Sequence, residues 1–398
     1  MTQPLKGIKV ADFSHVMAGP YASHLLTLLG ADVIKIEEPT RGDAMRYYGN
    51  DRRYDGCAPA FIGVNAGKKS IALNLKDPQS LAAAKKIIET SDVVLENFRP
   101  GVMAKLGLGY EQVREIKEDI VYCSVSGYGQ SGPRRDWPAI DNIVQATSGM
   151  MTLGGMLGDP PARIGFPVVD TLTGQTAALA ILAALLRRER EGVGDYIDVA
   201  MFDASLAFMT SAIVPYLVTD TPLERTGNTG YSGQPTSALF RAKDNREISL
   251  GVVQQHQFEI LSSLLDRPDW LEDERFADPN ARWENSDAMQ SELGREFVKK
   301  DAEEWERLMS EAGIPCGMVR TVSEAVDLDL PEERKIKLGL HIEGLAEKEN
   351  VEIVNAGFCM KNGGPEVKDA PPRLGENGAD ILRALGYPEE EISQILRK

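Results

Sequence analysis

"GIKVADFSHVMAGPYASHLLTLLGADVIKIE", residues 7–37, carries the alternation on which the fold turns. Its opening "GIKVADF" reads as a strand, Pro20 to Leu29 as a helix stopped by Gly30, and "DVIKIE" as a second strand. Pro20 suits the first helical turn, where its missing N–H costs nothing. Strand, helix and strand at this spacing make a parallel βαβ unit, because a parallel neighbour can only be reached by a crossover. The unit recurs. "SIALNL" (70–75) precedes a helix from Pro78 to about Thr90, then come "DVVLENF" (92–98), a helix around Tyr110 to Lys117, and "DIVYCSVSG" (119–127). The expected class is α/β, with a parallel sheet covered on both faces. Ligands of such sheets sit at the carboxyl ends of the strands. That puts "SHVMAGP" (14–20), "ENFRPG" (96–101) and "SGYGQSGP" (126–133) on the functional rim.

Outward from this half, "ARIGFPVVDTLTGQTAALAILAALLRR" (162–188) sets Asp170 between an apolar extended run and a long Ala/Leu helix. "DYIDVAMFDASLAFM" (195–209) adds a strand and a helix. The Gly/Thr/Ser-rich "ERTGNTGYSGQPTS" (224–237) then marks a domain boundary. Residues 245 to about 312 read as a smaller α+β unit with one strand, "EISLGVV", and several charged amphipathic helices. "GIPCGMV" (313–319) returns to a strand, and "APPRLGENGADILRALGY" (370–387) closes with a loop and a helix. A chain of 398 residues is in any case long for one core and implies two domains.

A net charge of −16 argues against a nucleic-acid partner bound through a broad basic face. A few Lys or Arg around one pocket still suffice for a small anion. Cys57, Cys123, Cys316 and Cys359 are scattered without a CxxC pair, the pattern of reduced thiols in a cytoplasmic protein. The first residues lack a charged segment followed by an apolar one, so no signal peptide is expected. The longest apolar run, Ala177 to Leu186, is too short to span a bilayer, and no membrane partner is expected.

Several chemistries drop out. "FSHVMAGPYAS" lacks G-x-G-x-x-G, and "GYGQSG" (127–132) is followed by "PRRDWP" where a dinucleotide site needs a helix to open. His15, His24, His256 and His341 are not grouped at ligand spacing, so no metal is expected. No G-x-S-x-G nucleophile elbow occurs. Asp170 keeps two readings. It is well placed to cap the helix that follows it, accepting from first-turn amides. A carboxylate at the start of a helix on this sheet also faces the ligand crevice.

"SHVMAGPYASHLLTLLGADVIKIEEPTRGDAMR", "NAGKKSIALNL", "ENFRPGVMAKLGLGYE", "SGYGQSGP", "DNIVQATSGMM", "VVDTLTGQTAALAILAAL", "GIPCGMV" and "APPRLGENGADILRALGY", in this order over residues 14 to 387, resemble the class III CoA-transferases, the carnitine/formyl-CoA transferase family. The resemblance implies a large Rossmann-like domain built from both chain ends, residues 1–222 and 316–398, around a smaller α+β domain, 223–315. It also implies an interlocked homodimer. The implied activity moves CoA from an acyl-CoA to a free small carboxylic acid, with coenzyme A and acyl-CoA as substrates and no permanently bound cofactor. Succinyl-CoA is the expected donor and a short dicarboxylate the expected acceptor.

On the same resemblance Asp170 is the nucleophile, forming an acyl-aspartyl anhydride and then an aspartyl-CoA thioester. Asp141 flanks it, orienting Asp170 or donating to the substrate carboxylate as a protonated acid. The glycine loop "GYSGQP" (230–235) supplies oxyanion donors, with Gly230 and Gly233 as candidates. CoA is expected along His15, Val16, Ala18, Asn97, Phe98 and Arg99, with Lys69 (or Lys68) and Lys105 for phosphates. Two positions depart from the formyl-CoA:oxalate enzymes: Met17 replaces a glutamine, and Glu38 replaces an arginine near the adenine, a contact that falls to Arg41. The same fold also serves 2-methylacyl-CoA racemases, but Ile140 stands where their histidine is needed. An intramolecular CoA isomerase and a non-catalytic CoA-binding subunit are the remaining alternatives, and a pure binder has no use for Asp170.

Overall fold

Six strands build the sheet that the alternation predicts: β1 (Lys9–Asp12), β2 (Asp32–Glu37), β3 (Lys69–Ala72), β4 (Val93–Glu96), β5 (Val121–Ser126) and β6 (Asp195–Ala200). All neighbours pair in parallel, in the order β3-β2-β1-β4-β5-β6. The computed structural model describes residues 3–328, 332–367 and 369–397. Connecting helices are α1 (Ala18–Leu28), α2 (Pro59–Asn65), α3 (Pro78–Glu89), α4 (Val102–Lys105), α5 (Tyr110–Ile116), α6 (Asp141–Thr147), α7 (Val168–Glu191), α8 (Met201–Phe208) and α9 (Thr210–Thr219).

Successive strand residues serve opposite cores. Val10, Val33, Leu95 and Val121 meet Ala22 and Leu26 of α1 and Ala177 and Ile181 of α7 on one face. Ala11, Ile36, Val94 and Tyr122 meet Ala84, Ile87 and Ile88 of α3 on the other, with Ile381 and Ile392 from the chain's last helices. Burial on both faces is why these strands read as nearly continuous apolar runs. α3 starts where its residues dictate, with Pro78 in the first turn and the Asp77 carboxylate accepting from the amides of Gln79 and Ser80.

After β1 the chain builds outward through β2 and β3, then crosses back to β4 on β1's other side. Loops leaving β1 and β4 therefore diverge and open a crevice at their carboxyl ends. α7 is locked beside that crevice by Gly174, where a Cβ would fall 2.7 Å from the Ala18 carbonyl oxygen and 2.9 Å from Tyr21 Cδ1. No other residue permits so close an approach of α7 to α1, and Asp170 lies one turn before it.

α7 corrects two expectations. It is 24 residues long and apolar enough by composition to cross a membrane, well beyond the run Ala177 to Leu186, but more than half of its most apolar 18-residue window is buried inside the protein. Residues 161–167 ahead of it form no strand, so Asp170 follows a loop rather than an extended run.

The chain divides into two compact units. One comprises the described residues of Met1–Met150, Arg163–Asp220 and Pro331–Lys398; the other, those of Met151–Ala162 and Thr221–Leu330. In the second, β7 (Leu239–Arg241), β8 (Glu247–Leu250) and β9 (Cys316–Met318) form an antiparallel sheet over a core of Phe258, Trp270, Phe297 and Trp305. The strand expected to rejoin the first half is thus β9, and it stays in the second unit. Leu250 pairs with Cys316, and Ile314 just before β9 belongs to the same core. The return to the first unit comes with β10 (Lys337–His341) and β11 (Asn350–Val354), an antiparallel pair whose Leu338, Leu340 and Ile353 pack with Leu28 and Ile62.

Candidate active site

The loop from β1 into α1 is held from below by buried charges. Lys35, in the middle of β2, donates to the Ser14 carbonyl at 2.7 Å and pairs with Asp43 at 2.9 Å, with both side chains almost wholly buried. Asp43 Oδ1 accepts from the amides of Val16 and Met45, each at 2.9 Å. Burial pushes the Asp43 carboxyl up, but Lys35 and these amides outweigh it and hold the group below the usual carboxylate range. Asn97 clamps His15 from the β4 side, accepting from its N–H at 2.9 Å and donating to its carbonyl at 2.8 Å.

These bonds sustain a strained turn, since Val16 has φ 66°, a left-handed conformation that costs a β-branched residue dearly. The result is a loop whose backbone is overdetermined. α1 begins directly after it without a side-chain cap, so its first-turn amides remain as donors on that side. His15 packs its ring against Phe98, centroids 5.1 Å apart, and burial pushes its imidazole pKa down.

Asp170 sits in the first turn of α7, but it is not the cap. Asp141 Oδ2 accepts from the amides of Val169 at 2.7 Å and Asp170 at 3.2 Å, while its Oδ1 accepts from Gln145 Nε2 at 2.6 Å. The capping acceptor thus comes from another helix, and the Asp170 carboxylate has no hydrogen-bond donor among the described residues. Burial, with the charge of Asp141 adding to it, pushes the Asp170 carboxyl up to about 7. A desolvated carboxylate with spare lone pairs at a helix N-terminus is equipped to attack an electrophile or to take a proton.

Asp170, Asp141, His15, Val16, Ala18, Asn97, Phe98 and Arg99 all line one cavity of about 720 Å³. Met17, noted from the sequence for replacing a glutamine, lines it too, as do Arg135, Trp137, Ile143, Arg163, Phe166 and Met201, which were not singled out from the sequence. Lys35, Asp43 and Gln145, which hold the wall in place, were missed as well. The one available signal was a lysine inside the otherwise apolar strand "DVIKIE".

Other expected residues lie elsewhere. Lys69 sits at the amino end of β3, where it pairs with Asp32 at 2.8 Å and lines two other cavities. Lys68 is buried, held by Asp12 at 3.3 Å, the Pro20 carbonyl at 2.9 Å and Asn65 at 3.0 Å, so it braces the fold rather than meeting a ligand. Arg41 is exposed, with its guanidinium over the Tyr47 ring at 4.9 Å, and Lys105 is exposed at the end of α4; neither lines the Asp170 cavity. Gly230 and Gly233 belong to the second unit. Their amides donate within their own loop, Gly230 to Ser237 O at 2.6 Å and Gly233 to Gly230 O at 2.9 Å. Both N–H groups are therefore engaged within their own loop.

Comparison with known proteins bears on the chemistry. The model of the family described as CoA-transferase family III matches residues 5–378. The chain is 35% identical over 391 residues to the acetyl-CoA:oxalate CoA-transferase of Acetobacter aceti, covering 97% of each chain. It is 32% identical over 406 residues to the succinyl-CoA:glutarate CoA-transferase of Mus musculus, covering 99% of this chain and 89% of that protein. A CAIB/BAIF family protein from Brucella suis has a similar solved structure, with a TM-score of 0.86 and 29% identity over 97% of this chain and 100% of that one.

Proposed function

The chain belongs to CoA-transferase family III and is an acyl-CoA:carboxylate CoA-transferase, and from that premise we propose that Asp170 is its nucleophile, with a short dicarboxylic acid as acceptor. One observation carries the reading: Asp170 is the half-buried carboxylate of the rim cavity that has no hydrogen-bond donor among the described residues, while Asp141 takes the capping role beside it.

Asp170 attacks the thioester carbonyl and expels CoA thiolate, giving a mixed anhydride. The thiolate attacks the aspartyl carbonyl of that anhydride, releasing the donor acid and leaving aspartyl-CoA thioester. The acceptor carboxylate attacks this thioester, expels the thiolate again and becomes the acyl part of a second anhydride. A last thiolate attack on the acceptor carbonyl releases the new acyl-CoA and frees Asp170. Every step exchanges one activated acyl bond for another, and no proton moves. First-turn amides of α1 meet the developing oxyanions. His15, kept neutral by burial, and Phe98 hold the thiol arm, and Arg99 meets phosphate. Oxalate and glutarate in the names of the two relatives are the support for a dicarboxylate acceptor and, with the second name, for succinyl-CoA as donor.

Ionisation of Asp170 is the step its surroundings oppose. With the carboxyl pushed up to about 7, kcat/KM is expected to fall about tenfold per pH unit below that value and to level off above it. Asp141→Asn removes the nearby charge but not the burial, so the break moves down yet stays above the ordinary carboxylate range. A pH–rate profile of both proteins checks this, and an unmoved break would remove Asp141 from the electrostatics of the nucleophile.

The direct test is intact-protein mass spectrometry after incubation with succinyl-CoA. A CoA-sized adduct on Asp170 that hydroxylamine discharges supports the covalent route. Tight CoA binding without an adduct, across several acyl-CoA donors, favours a racemase or a binding subunit.

A homodimer, interlocked as in the family, completes the reading. Its support is α9, which has no buried residue and exposes Leu217 at 68% and Val218 at 76%. Sedimentation at micromolar concentration should give twice the chain mass, and a Leu217→Glu/Val218→Glu variant should fall to the monomer; a monomeric wild type refutes it. Free Cys57, Cys123, Cys316 and Cys359 support a cytoplasmic location.

A further inference from the structure

Three arginines line the Asp170 cavity: Arg99, Arg135 and Arg163. Two belong to the same side. Arg99 follows β4 on the rim, and Arg135 Nη2 lies 3.4 Å from where a Cβ on Gly101 would sit, with Asp136 at 3.8 Å from its Nε. Both therefore flank the loop that starts at Asn97, the side assigned above to the phosphates.

Arg163 is placed differently. It lies on the segment that runs into α7, and the next residue is tied down by a hydrogen bond from the Ile164 amide to Gln145 Oε1 at 2.9 Å. Gln145 in turn donates to Asp141, the group that caps α7. One side-chain amide thus fixes the Arg163 backbone relative to both carboxylates. Among the described residues no acid pairs with the Arg163 guanidinium. Apolar side chains, Met17, Ile140, Ile143 and Phe166, make up much of the remaining wall.

We propose that Arg163 is a specificity-determining residue that binds the distal carboxylate of a dicarboxylic substrate whose other carboxyl group reacts at Asp170. The proposal rests on Asp170 being the nucleophile. An acid with two carboxylates joined by methylenes matches a cavity with an unpaired guanidinium, an apolar wall and a reacting carboxylate. Guanidinium binds carboxylate through two parallel N–H···O bonds, which fixes direction as well as distance. A monocarboxylic acid of similar length gains nothing from Arg163, so selectivity resides in that pair.

The test compares two isotope exchanges in wild type, Arg163→Gln and Arg163→Lys: labelled succinate into succinyl-CoA, and labelled butyrate into butyryl-CoA. In Arg163→Gln, kcat/KM for succinate exchange is expected to fall about 10- to 100-fold, while butyrate exchange is unchanged. Lysine should restore part of the succinate rate, because it keeps the charge and loses the fork. An equal loss for both acids, or a raised KM for both thioesters, would assign Arg163 to the phosphates and overturn the proposal. An unchanged succinate rate would overturn it as well. Adduct formation at Asp170 from butyryl-CoA separates the two levels: absence of an adduct in wild type defeats the nucleophile, whereas its persistence in Arg163→Gln leaves the nucleophile standing whatever becomes of Arg163.

Discussion

Asp170→Asn is expected to abolish CoA transfer and to make the folded protein more stable. Transfer goes because the amide cannot form the anhydride, and loss of a covalent nucleophile costs on the order of 10⁴-fold or more in kcat. Stability rises for a separate reason. The carboxyl is pushed from an ordinary 3.8 up to about 7 by burial and by Asp141. The unfolded chain therefore ionises this group near pH 4 and the folded one only near pH 7. Between those values the folded state holds the extra proton, so wild-type stability declines as the pH rises, and the full penalty is present above about 7. Three pKa units set its upper limit at up to about 4 kcal/mol. Urea unfolding of both proteins at pH 8 and pH 4.5 checks the sign: the variant's advantage should be large at the first and reduced to about a quarter at the second. A variant that is less stable at pH 8 would mean that Asp170 bears a structural load after all, and residual transfer near the wild-type rate would move the nucleophile elsewhere.

Lys35→Met should be the most damaging change outside the cavity. The ammonium group faces Asp43 at 2.9 Å in a site where the two side chains are 0% and 1% exposed, and Asp12 lies close enough to help hold it charged. Methionine fills much of the volume but leaves Asp43 buried and uncompensated, a loss of about 3–5 kcal/mol. Function should suffer beyond stability. The lost bond to Ser14 O and the disturbed Asp43 release the Val16 turn, and with Asp170 as the proposed nucleophile a shift of about an ångström in the loop that shares its cavity is expected to cost about 10²-fold in kcat/KM. A Lys35→Met/Asp43→Asn double variant should recover part of the stability without recovering the rate, because the asparagine no longer strains for a cation yet no longer pins the loop as tightly. Equal recovery of both would reduce the pair to a fold element.

The α/β reading was legible because its rules are local. Parallel strands buried on both faces show as apolar runs, Pro78 and Asp77 announce α3, and Gly30 ends the turn after α1. β9 was misplaced for the complementary reason. A three-residue strand carries no mark of its partner, and only the pairing of Leu250 with Cys316 assigns it to the antiparallel sheet. Asp170 shows the same limit within the site. From residue order alone an aspartate ahead of an Ala/Leu helix reads as that helix's cap, because the capping rule sees only neighbours in the chain. Its competitor for those amides, Asp141, is 29 residues away.

Residue order by itself therefore determined the βαβ succession, the rim on which ligands gather, and the motif resemblance that named Asp170 and the His15–Ala18 and Asn97–Arg99 loops. Tertiary structure alone decided that Asp170 has no hydrogen-bond donor among the described residues, that Lys35 and Asp43 hold a strained Val16 beside the cavity, that Gly230 and Gly233 have spent their amides, and that Arg163 lines the same cavity as Asp170. The physical reason is common to all four. Burial and hydrogen-bond competition are properties of a point in space, set by whatever the fold brings there, and groups far apart in the chain meet at that point only once the sheet has been assembled.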